Sequence, residues 1–401
     1  MQSKRIDQIT LQDLEDLVNT RQSENQRLEF KEEINYKDGE GKKKFLRGLA
    51  AFANTLGGYF IIGIKEENGE ATELTGVELP DPDKYKLQLE QVIRDNLEPR
   101  LLGIQIRHFE FANSKFVIVI FVPRSSFPPH RMQNDTFYER TNTGKQPLNM
   151  DQIRRVFTRG ASLREEMRNF VRERQDLVCT QRDGIVQFTN GSVVLVHLIP
   201  FSSIESDVSV PINIELQRRL QLFVVPLGGA GHRSSFNADG LAFLDKDRDG
   251  GKYTQLFRNG VFEGACDYNM IRISENKKII LPSTFEYEVI EWLKNALKAT
   301  QEIEILPPFQ ISITLQGVRD AFVSLGNRSF TSPKFIGKEI LYLPSIILED
   351  IDSLDFKKSS NSEVVQFLAQ KLRLAFDVLW QASGYEQSAS YENDGLWNPS
   401  L

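Results

Sequence analysis

The stretch Ala51–Ile64, AFANTLGGYFIIGI, decides the fold of the first part of this chain. It joins two different hydrophobic patterns at a pair of glycines. Apolar residues from Phe45 to Ala53 recur at helical spacing, and the pair Gly57-Gly58 is typical of a helix end. The residues from Tyr59 to Ile64 are almost all apolar, as in a strand that is buried on both faces of a sheet. The stretch therefore predicts a helix followed at once by a buried strand.

Length and composition are those of an ordinary globular protein. The 401 residues are enough for two domains, and hydrophobic and charged residues make up 40% and 26% of the chain. No apolar run reaches roughly 18 residues, and the first residues do not form an apolar leader segment. The two cysteines, Cys179 and Cys266, lie in no metal-binding motif. We therefore expect a cytoplasmic protein in a reducing compartment.

The net charge of −6 argues against a protein that coats nucleic acid without specificity, but the charge is unevenly distributed. Residues 1–160 contain 24 basic and 24 acidic side chains, so the negative excess lies in residues 161–401. Residues 101–160 carry nine basic and four acidic side chains. A polyanion is therefore expected to bind the N-terminal part of the chain.

The order of the predicted elements divides the chain. Residues 1–160 combine strands with amphipathic helices, which predicts an α/β or α+β fold for a first domain. Residues 161–380 show a second mixture of strands and helices and predict a second α+β domain. Residues 381–401 are polar and predict a loosely held tail.

Two acidic side chains, Glu24 and Glu29, lie five residues apart in SENQRLEFKEE, Ser23–Glu33. On a helix this spacing separates them by roughly 140°, and on a strand it sends them to opposite faces. They can cooperate only if the chain turns between them. Otherwise Glu24 is a solvated turn residue and Glu29 an outward-facing strand residue, so the spacing alone leaves both interpretations open.

Several blocks of the first domain resemble the Schlafen AlbA_2 family. These blocks are LEFKEE at 28–33, AFANTLGGYFIIGIKEENGE at 51–70, VIVIFVPRSSFPPHR at 117–131 and FYERTNTGKQPLNMDQI at 137–153. They occur in the order and at the spacing of the family and cover nearly all of the first domain. In the Schlafen proteins that cut transfer and ribosomal RNA, three acidic side chains form the active site.

The resemblance places those acidic side chains at Glu24, Glu29 and Glu66. Phosphodiester hydrolysis needs a hard divalent cation, and clustered carboxylates repel one another without one. The resemblance thus implies Mg²⁺ or Mn²⁺ at these residues and a metal-dependent RNA endonuclease, with tRNA as substrate and a role in antiviral defence. Lys31 is expected to orient a phosphate or to neutralise Glu29. The family commonly has two aspartates where this chain has Lys65-Glu66, and the adjacent Glu67 is an alternative third ligand.

Basic residues of the first domain are expected to bind the nucleic acid. They are Lys42, Lys43, Lys44, Arg47, Arg124, Arg131, Arg140 and Lys145. The first four begin a predicted helix, where their charge opposes the helix dipole and favours an anion nearby. The others lie among aromatic residues, which suits phosphate contacts and base stacking. Core aromatics with surface arginines give the same pattern.

The resemblance also bears on assembly. Eukaryotic Schlafen cores surround RNA with two related lobes, whereas this chain has one copy of the family blocks, so we expect a homodimer or larger homo-oligomer. The second domain is expected to sense a trigger or to mediate assembly. The alternative function is that of a non-enzymatic, nucleic-acid-binding regulatory protein in which the acidic residues are structural.

Overall fold

The chain forms two compact units, Met1–Arg164 and Glu165–Leu401, each of which combines helices with sheets. This confirms the α+β class. The domain boundaries drawn from the sequence remain predictions, because the contacts within the chain do not test whether each domain folds on its own. The structure is a computed structural model. The residues it describes are 6–37, 39–112, 114–125, 127–141, 144–182, 185–204, 209–229, 232–245, 251–274, 277–324, 334–349, 360–392 and 394–398. None of the helices described there is long and apolar enough to cross a membrane.

The first unit is a mixed sheet with helices on both faces. Its elements are α1 (Leu11–Asn19), β1 (Leu28–Lys31), α2 (Gly39–Asn54), β2 (Gly58–Ile62), β3 (Ile64–Glu67), β4 (Glu70–Leu74), β5 (Val77–Glu78), α3 (Pro82–Asn96), β6 (Leu97–Glu98), β7 (Gln105–Ala112), β8 (Lys115–Val122), β9 (Arg131–Met132), β10 (Tyr138–Thr141), β11 (Gly144–Pro147) and the start of α4 (Met150–Cys179). The main sheet has the order β1-β2-β8-β5, with β7 also paired to β8. One face packs on α2 and α3 and the other on α1, so β2 is buried on both sides.

The strand predicted through Tyr59–Ile64 is interrupted at one glycine. Gly63 has φ +101°, a conformation that side chains disfavour, and its carbonyl accepts backbone hydrogen bonds from Thr75 and Gly76 at 3.0 and 2.9 Å. The chain leaves the main sheet there, and β3 pairs with β4 in a separate hairpin. This hairpin pairs with the segment before β1, because the Glu24 N–H donates to the Gly69 carbonyl at 2.7 Å and the Ala71 N–H to the Gln22 carbonyl at 3.1 Å.

One helix connects the two units. The sequence suggests two helices, one starting at Met150 and another over 163–174, but α4 continues without a break from Met150 to Cys179. The boundary between the units, at Arg164 and Glu165, lies inside this helix.

The second unit is built on a large sheet. Its remaining elements are β12 (Val193–Pro200), α5 (Ile214–Leu220), β13 (His232–Phe236), β14 (Gly240–Asp245), β15 (Lys252–Phe257), β16 (Phe262–Cys266), β17 (Ile271–Ser274), β18 (Lys277–Ile280), α6 (Pro282–Glu302), β19 (Phe309–Gln316), β20 (Ala321–Val323), β21 (Ile340–Tyr342), β22 (Ile346–Leu348) and α7 (Asn361–Ala382). The sheet has the order β13-β14-β15-β16-β12-β19-β21, with β22 also on β19. Side chains of α6 and α7 cover one face and form the largest apolar core.

The segment after α7 is packed rather than loosely held. Trp397 is 4% exposed, and its indole N–H donates to the buried carboxylate of Glu286 at 2.9 Å. The same carboxylate accepts hydrogen bonds from Trp380 at 2.9 Å and Ser388 at 2.8 Å. The prediction of a loose tail is therefore wrong for the described part of 381–401, because its few aromatic side chains fill the core despite the polar composition.

A second buried carboxylate organises the opposite face of this sheet. Glu263 is fully buried, and both of its oxygens accept hydrogen bonds from the guanidinium of Arg174, at 2.9 and 2.8 Å. Tyr253 donates at 2.7 Å, and Nε2 of His197 lies 2.9 Å away. Burial alone would raise the pKa of Glu263, but the hydrogen bonds from Arg174 and His197 outweigh it and lower the pKa to about 2.

We expect Glu263→Gln to lower the free energy of unfolding of the second unit by roughly 3–5 kcal/mol, because the substitution leaves the buried guanidinium of Arg174 without its counter-charge. The measurement is urea unfolding followed by tryptophan fluorescence. Glu173→Gln is the matched control, since Glu173 is an exposed neighbour on α4 and its loss should change stability by less than about 0.5 kcal/mol. Equal midpoints for the two variants would contradict the structural role of this ion pair.

Acid should weaken the wild type more than the Glu263→Gln variant. The pKa of Glu263 is about 2 in the fold and 4.5 ordinarily, so its ionised form stabilises the fold above about pH 4.5 and this contribution disappears as the pH falls towards 2. At about pH 3 the wild type should have lost on the order of 2 kcal/mol of this contribution. Unfolding free energies measured between about pH 6 and pH 3 test this, and parallel curves for both proteins would refute it.

Candidate functional site

A tight turn before β1 brings Glu24 beside the strand. Asn25 and Leu28 exchange backbone hydrogen bonds of 3.1 and 3.3 Å. The turn lets the Glu24 carboxylate accept a 2.8 Å hydrogen bond from the backbone N–H of Phe30. The chain therefore bends between Glu24 and Glu29, as the sequence requires if the two are to cooperate.

Glu24 and Glu29 converge on one ammonium group. The Nζ atom of Lys31 lies 3.5 Å from an oxygen of each carboxylate, so these two oxygens lie within twice that distance of each other. The side chains of Glu24 and Glu29 are 21% and 6% exposed. Burial raises the pKa of Glu24, although Lys31 opposes this shift. Two of the three predicted acidic residues are thus brought together, with Lys31 between them.

The guanidinium of Arg140 closes the inner side of this pair. Its Nη1 donates to Glu29 at 2.5 Å, and its Nε and Nη2 donate to the carbonyls of Asn25 and Leu28, both at 3.2 Å. It also lies over the ring of Phe52, 4.9 Å from the centroid. The side chain of Arg140 is only 3% exposed. It is therefore not positioned to contact nucleic acid, as the sequence had suggested it would be. It holds Glu29 in position.

A glycine of α2 leaves room for the buried carboxylate. A Cβ atom at Gly48 would lie 3.3 Å from Oε2 of Glu29 and 3.2 Å from the ring of Phe60, tighter than most contacts of real Cβ atoms. A side chain here would have to displace these neighbours by a few tenths of an ångström, so Gly48 helps α2 to pack closely on β1. Gly48 was not identified as a functional residue, since a glycine inside a helical pattern gives no signal of its own.

Asn54, the last residue of α2, ties the helix to the segment that carries Arg140. Its amide donates to the carbonyls of His130 and Tyr138, at 2.8 and 2.9 Å, and accepts from the His130 N–H at 2.7 Å. The His130 ring is fixed in turn between the Pro99 carbonyl and the Ser125 hydroxyl, and burial lowers its pKa to about 4. His130 is therefore neutral and helps to position the segment around it. The sequence signal for the role of Asn54 is its place in the AFAN block.

The structure describes no direct side-chain contact between the third predicted acidic residue and the pair, but it places the hairpin of that residue beside Glu24, whose backbone N–H donates to the Gly69 carbonyl at 2.7 Å. Glu66 lies on β3, beyond the break at Gly63, and its carboxylate accepts a 2.8 Å hydrogen bond from the backbone N–H of Gly69. This bond closes the turn of the β3–β4 hairpin. Glu67, the alternative ligand, is exposed and forms an ion pair with Lys65 at 3.4 Å.

The predicted basic residues differ in their environments. Lys42 is half-buried and Lys44 exposed in the first turns of α2, while Arg124 is exposed after β8. Three others are paired with carboxylates: Arg47 with Asp135 at 2.6 Å, Arg131 with Glu98 at 2.9 Å and Lys43 with Glu40 at 2.8 Å.

Lys145 belongs to the same site as the acidic pair. It is the register partner of Arg140 in the β10–β11 hairpin, and its Nζ donates to the carbonyl of Lys44 at 2.8 Å. Burial lowers the pKa of Lys145, while the nearby charge of Glu29 opposes the shift. With Lys31 and Arg140, it makes three basic side chains around two carboxylates. The site is therefore an acidic pair inside a positively charged frame.

The donor set suits a hard divalent cation in part. Glu24 and Glu29 offer carboxylate oxygens, the ligands that Mg²⁺ and Mn²⁺ prefer, but both are ion-paired with basic side chains. Within the ranges that the structure describes, no three His, Cys, Asp or Glu side chains are grouped so that they could hold a metal ion. A cation at this pair would compete with the ammonium of Lys31 for both carboxylates.

Comparison with known proteins identifies the first unit. No curated protein matches the chain. Among solved structures, the DIP2311 protein from Corynebacterium diphtheriae is 20% identical over 35% of this chain, with a TM-score of 0.26, and the match spans 26% of that protein. The N-terminal domain of a RecG-related protein from Nitrosomonas europaea is 27% identical over 29% of this chain and 74% of that domain, with a TM-score of 0.22. Residues 24–149, which contain the whole acidic pair and its basic frame, match the family model "Schlafen, AlbA_2". Residues 24–149 of the first unit therefore match a Schlafen AlbA_2 domain, which confirms the resemblance of the sequence blocks.

Proposed function

We propose that the first unit is a metal-dependent RNA endonuclease that cuts structured RNA. The convergence of Glu24 and Glu29 on Lys31 is the observation that carries this proposal. Paired carboxylates beside a lysine provide both a cation-binding group and a phosphate-binding group in one place. The family resemblance adds tRNA as the substrate to test first and antiviral defence as the role, while the sequence composition favours the cytoplasm as the location.

The side chains of this site divide the work in the proposed reaction. Glu24 and Glu29 would hold the cation, Mg²⁺ or Mn²⁺, which when bound activates a water molecule and offsets the charge that develops on the phosphate. Lys31 would bind a phosphate oxygen as a compact point charge, and Lys145 would contact the neighbouring backbone. Arg140 would keep Glu29 in position without touching RNA.

The position of Lys31 links RNA binding to cation binding. Its ammonium neutralises both carboxylates in the described arrangement. A phosphate that attracts this ammonium would leave Glu24 and Glu29 less neutralised, and mutual repulsion would then favour a cation between them. In the proposed site, binding of the substrate phosphate would therefore favour binding of the cation.

We expect Glu24→Gln to reduce Mn²⁺-dependent cleavage of purified tRNA by about 100-fold or more, because the cation contributes several kcal/mol to phosphodiester hydrolysis. Glutamine keeps the shape of the side chain and an oxygen that can accept the bond from Phe30. The measurement is the rate of appearance of cleaved tRNA on a denaturing gel. Glu73→Gln, at an exposed position on β4, is the matched control and should cut as the wild type does.

Glu24 is a better position for this test than Glu29. Removing the Glu29 carboxylate would leave Arg140 buried without a counter-charge, which costs roughly 3–5 kcal/mol and confuses lost activity with lost folding. Cleavage by Glu24→Gln at the wild-type rate would refute the proposed catalytic pair. Absence of Mn²⁺-dependent cleavage by the wild type would refute the endonuclease itself.

Mn²⁺ binding tests the cation site without relying on activity. We expect Lys31→Met to bind Mn²⁺ several-fold more tightly than the wild type, because it removes a positive charge 3.5 Å from both carboxylates. Glu24→Gln should bind it more weakly. Titration of free Mn²⁺ followed by electron paramagnetic resonance measures both, and Lys86→Met on the surface of α3 is the control. Identical affinities in all four proteins would exclude a cation at this pair.

A non-enzymatic nucleic-acid-binding regulator is the second candidate function. It is favoured by the ion pairs that already neutralise Glu24 and Glu29, and by the hydrogen bond that engages Glu66 in its turn. In this case RNA binding would be salt-sensitive, unaffected by Glu24→Gln and not followed by cleavage.

The proposal includes assembly into a homodimer or larger homo-oligomer. The family blocks occur once in the sequence, and the main sheet of the second unit has a strand order unlike that of the first. A cleft with two equivalent lobes would therefore need a second copy of the chain.

A further inference from the structure

The first unit contains a cavity of about 590 Å³ that the acidic pair does not use. It lies between the segment that follows β1, strand β5, the start of α3 and the start of β8. The side chains that give it its chemical character are Glu33, Tyr36, Lys37, Glu78, Tyr85 and Lys115. Its volume is in the range of pockets that hold small organic ligands, and its lining combines aromatic rings with both signs of charge.

Two tyrosines provide a fixed aromatic wall. The rings of Tyr36 and Tyr85 pack edge to face, with centroids 5.2 Å apart and planes at 88°. Tyr36 is only 7% exposed, and its hydroxyl donates to the side chain of Gln88 at 2.7 Å. Because Tyr36 is held in place, it also fixes the ring of half-buried Tyr85. A rigid aromatic face is a suitable platform for stacking a planar base.

Charged side chains of both signs surround this wall. Glu33 and Glu78 are carboxylates, which accept hydrogen bonds from the N–H groups of a base, while Lys37 and Lys115 can pair with a phosphate. Among the residues that the structure describes, none of these four side chains forms an ion pair. The cavity therefore offers acceptors for a base and cations for a phosphate, a combination that matches a nucleotide.

We propose that this cavity binds an unpaired guanine nucleotide of the RNA substrate, stacked on Tyr85. Guanine presents two neighbouring N–H donors on its Watson–Crick edge, which suits a carboxylate better than the single donor of uracil. Glu33 follows Glu29 by four residues, so the two Cα atoms lie at most roughly 14 Å apart. A nucleotide in the cavity and a phosphate at the acidic pair can thus belong to one RNA strand. This inference rests on the proposed action on RNA and adds a base preference to it.

Binding of short single-stranded RNA tests the proposal. Two fluorescein-labelled heptanucleotides, one of uridines only and one with a central guanosine, are titrated with the full chain in EDTA, so that metal-dependent cleavage does not interfere. We expect the wild type to prefer the guanosine-containing strand. Tyr85→Leu should weaken its binding roughly tenfold or more through loss of stacking, whereas Tyr85→Phe should bind like the wild type.

Further variants separate stacking from base recognition. The double variant Glu33→Gln/Glu78→Gln should bind both strands with similar affinity. Tyr287→Leu, at an exposed tyrosine of the second unit, is the matched control and should leave binding unchanged. Thermal unfolding of each variant shows whether a loss of binding reflects a loss of folding.

The outcomes distinguish this proposal from the proposed function. If Glu24→Gln abolishes tRNA cleavage but Tyr85→Leu binds both strands like the wild type, the endonuclease stands and the guanine site is overturned. If the wild type cuts tRNA with Mn²⁺ but binds neither strand, the endonuclease stands and the guanine site is overturned. If guanosine 5′-monophosphate binds in calorimetry but the guanosine-containing strand does not, the cavity holds a free nucleotide and its link to RNA is overturned.

Discussion

The buried ion pair between Arg140 and Glu29 is the interaction on which the candidate site depends. Taking a guanidinium and a carboxylate out of water costs several kcal/mol for each ion, and only a short contact with further hydrogen bonds offsets that cost. Here the contact is 2.5 Å, and the carbonyls of Asn25 and Leu28 accept two further guanidinium donors. The two residues are 111 positions apart in the chain. Their pairing therefore fixes the β10–β11 hairpin, and with it Lys145, against the start of β1.

This arrangement also determines which groups a ligand would meet first. Glu29 and Arg140 satisfy each other in the interior, whereas the side chains of Lys31 and Glu24 are 36% and 21% exposed. An approaching phosphate would encounter the ammonium of Lys31 before either carboxylate. In the proposed function, the basic frame would thus reduce the repulsion between the acidic pair and a polyanion.

Sequence patterns predicted the local elements of the site, but not the contacts between distant segments. The apolar run before Gly63 and the helical spacing before Gly57 correctly predicted a helix and then a buried strand, because burial on a sheet or helix face leaves a periodic signal. The spacing of Glu24 and Glu29 showed that the two side chains can cooperate only if the chain turns between them, but it did not show that the chain does turn. The burial of Arg140 left no such signal, because a buried arginine and a surface arginine look alike until the partner carboxylate is known.

The same reasoning explains the other differences from the sequence predictions. The break at Gly63 places Glu66 in a hairpin that pairs with the segment before β1 rather than in the main sheet, and a single glycine in an apolar run does not reveal such a break. The segment after α7 has a polar composition, yet Trp397 reaches a buried carboxylate that lies 111 residues earlier in the chain. Composition reports an average over a segment, whereas packing depends on one or two large side chains.

Each unit contains a buried arginine–carboxylate pair, but the two pairs differ in their exposure to solvent. In the second unit, Arg174 pairs with Glu263, and the side chains of the carboxylate and of His197 beside it are completely enclosed. Such a network stabilises the fold but offers nothing to a ligand. In the first unit, one carboxylate of the pair and its lysine remain partly exposed next to the buried ion pair. Of these two arginine–carboxylate sites, the one beside Arg140 therefore has an opening through which a ligand could reach a carboxylate.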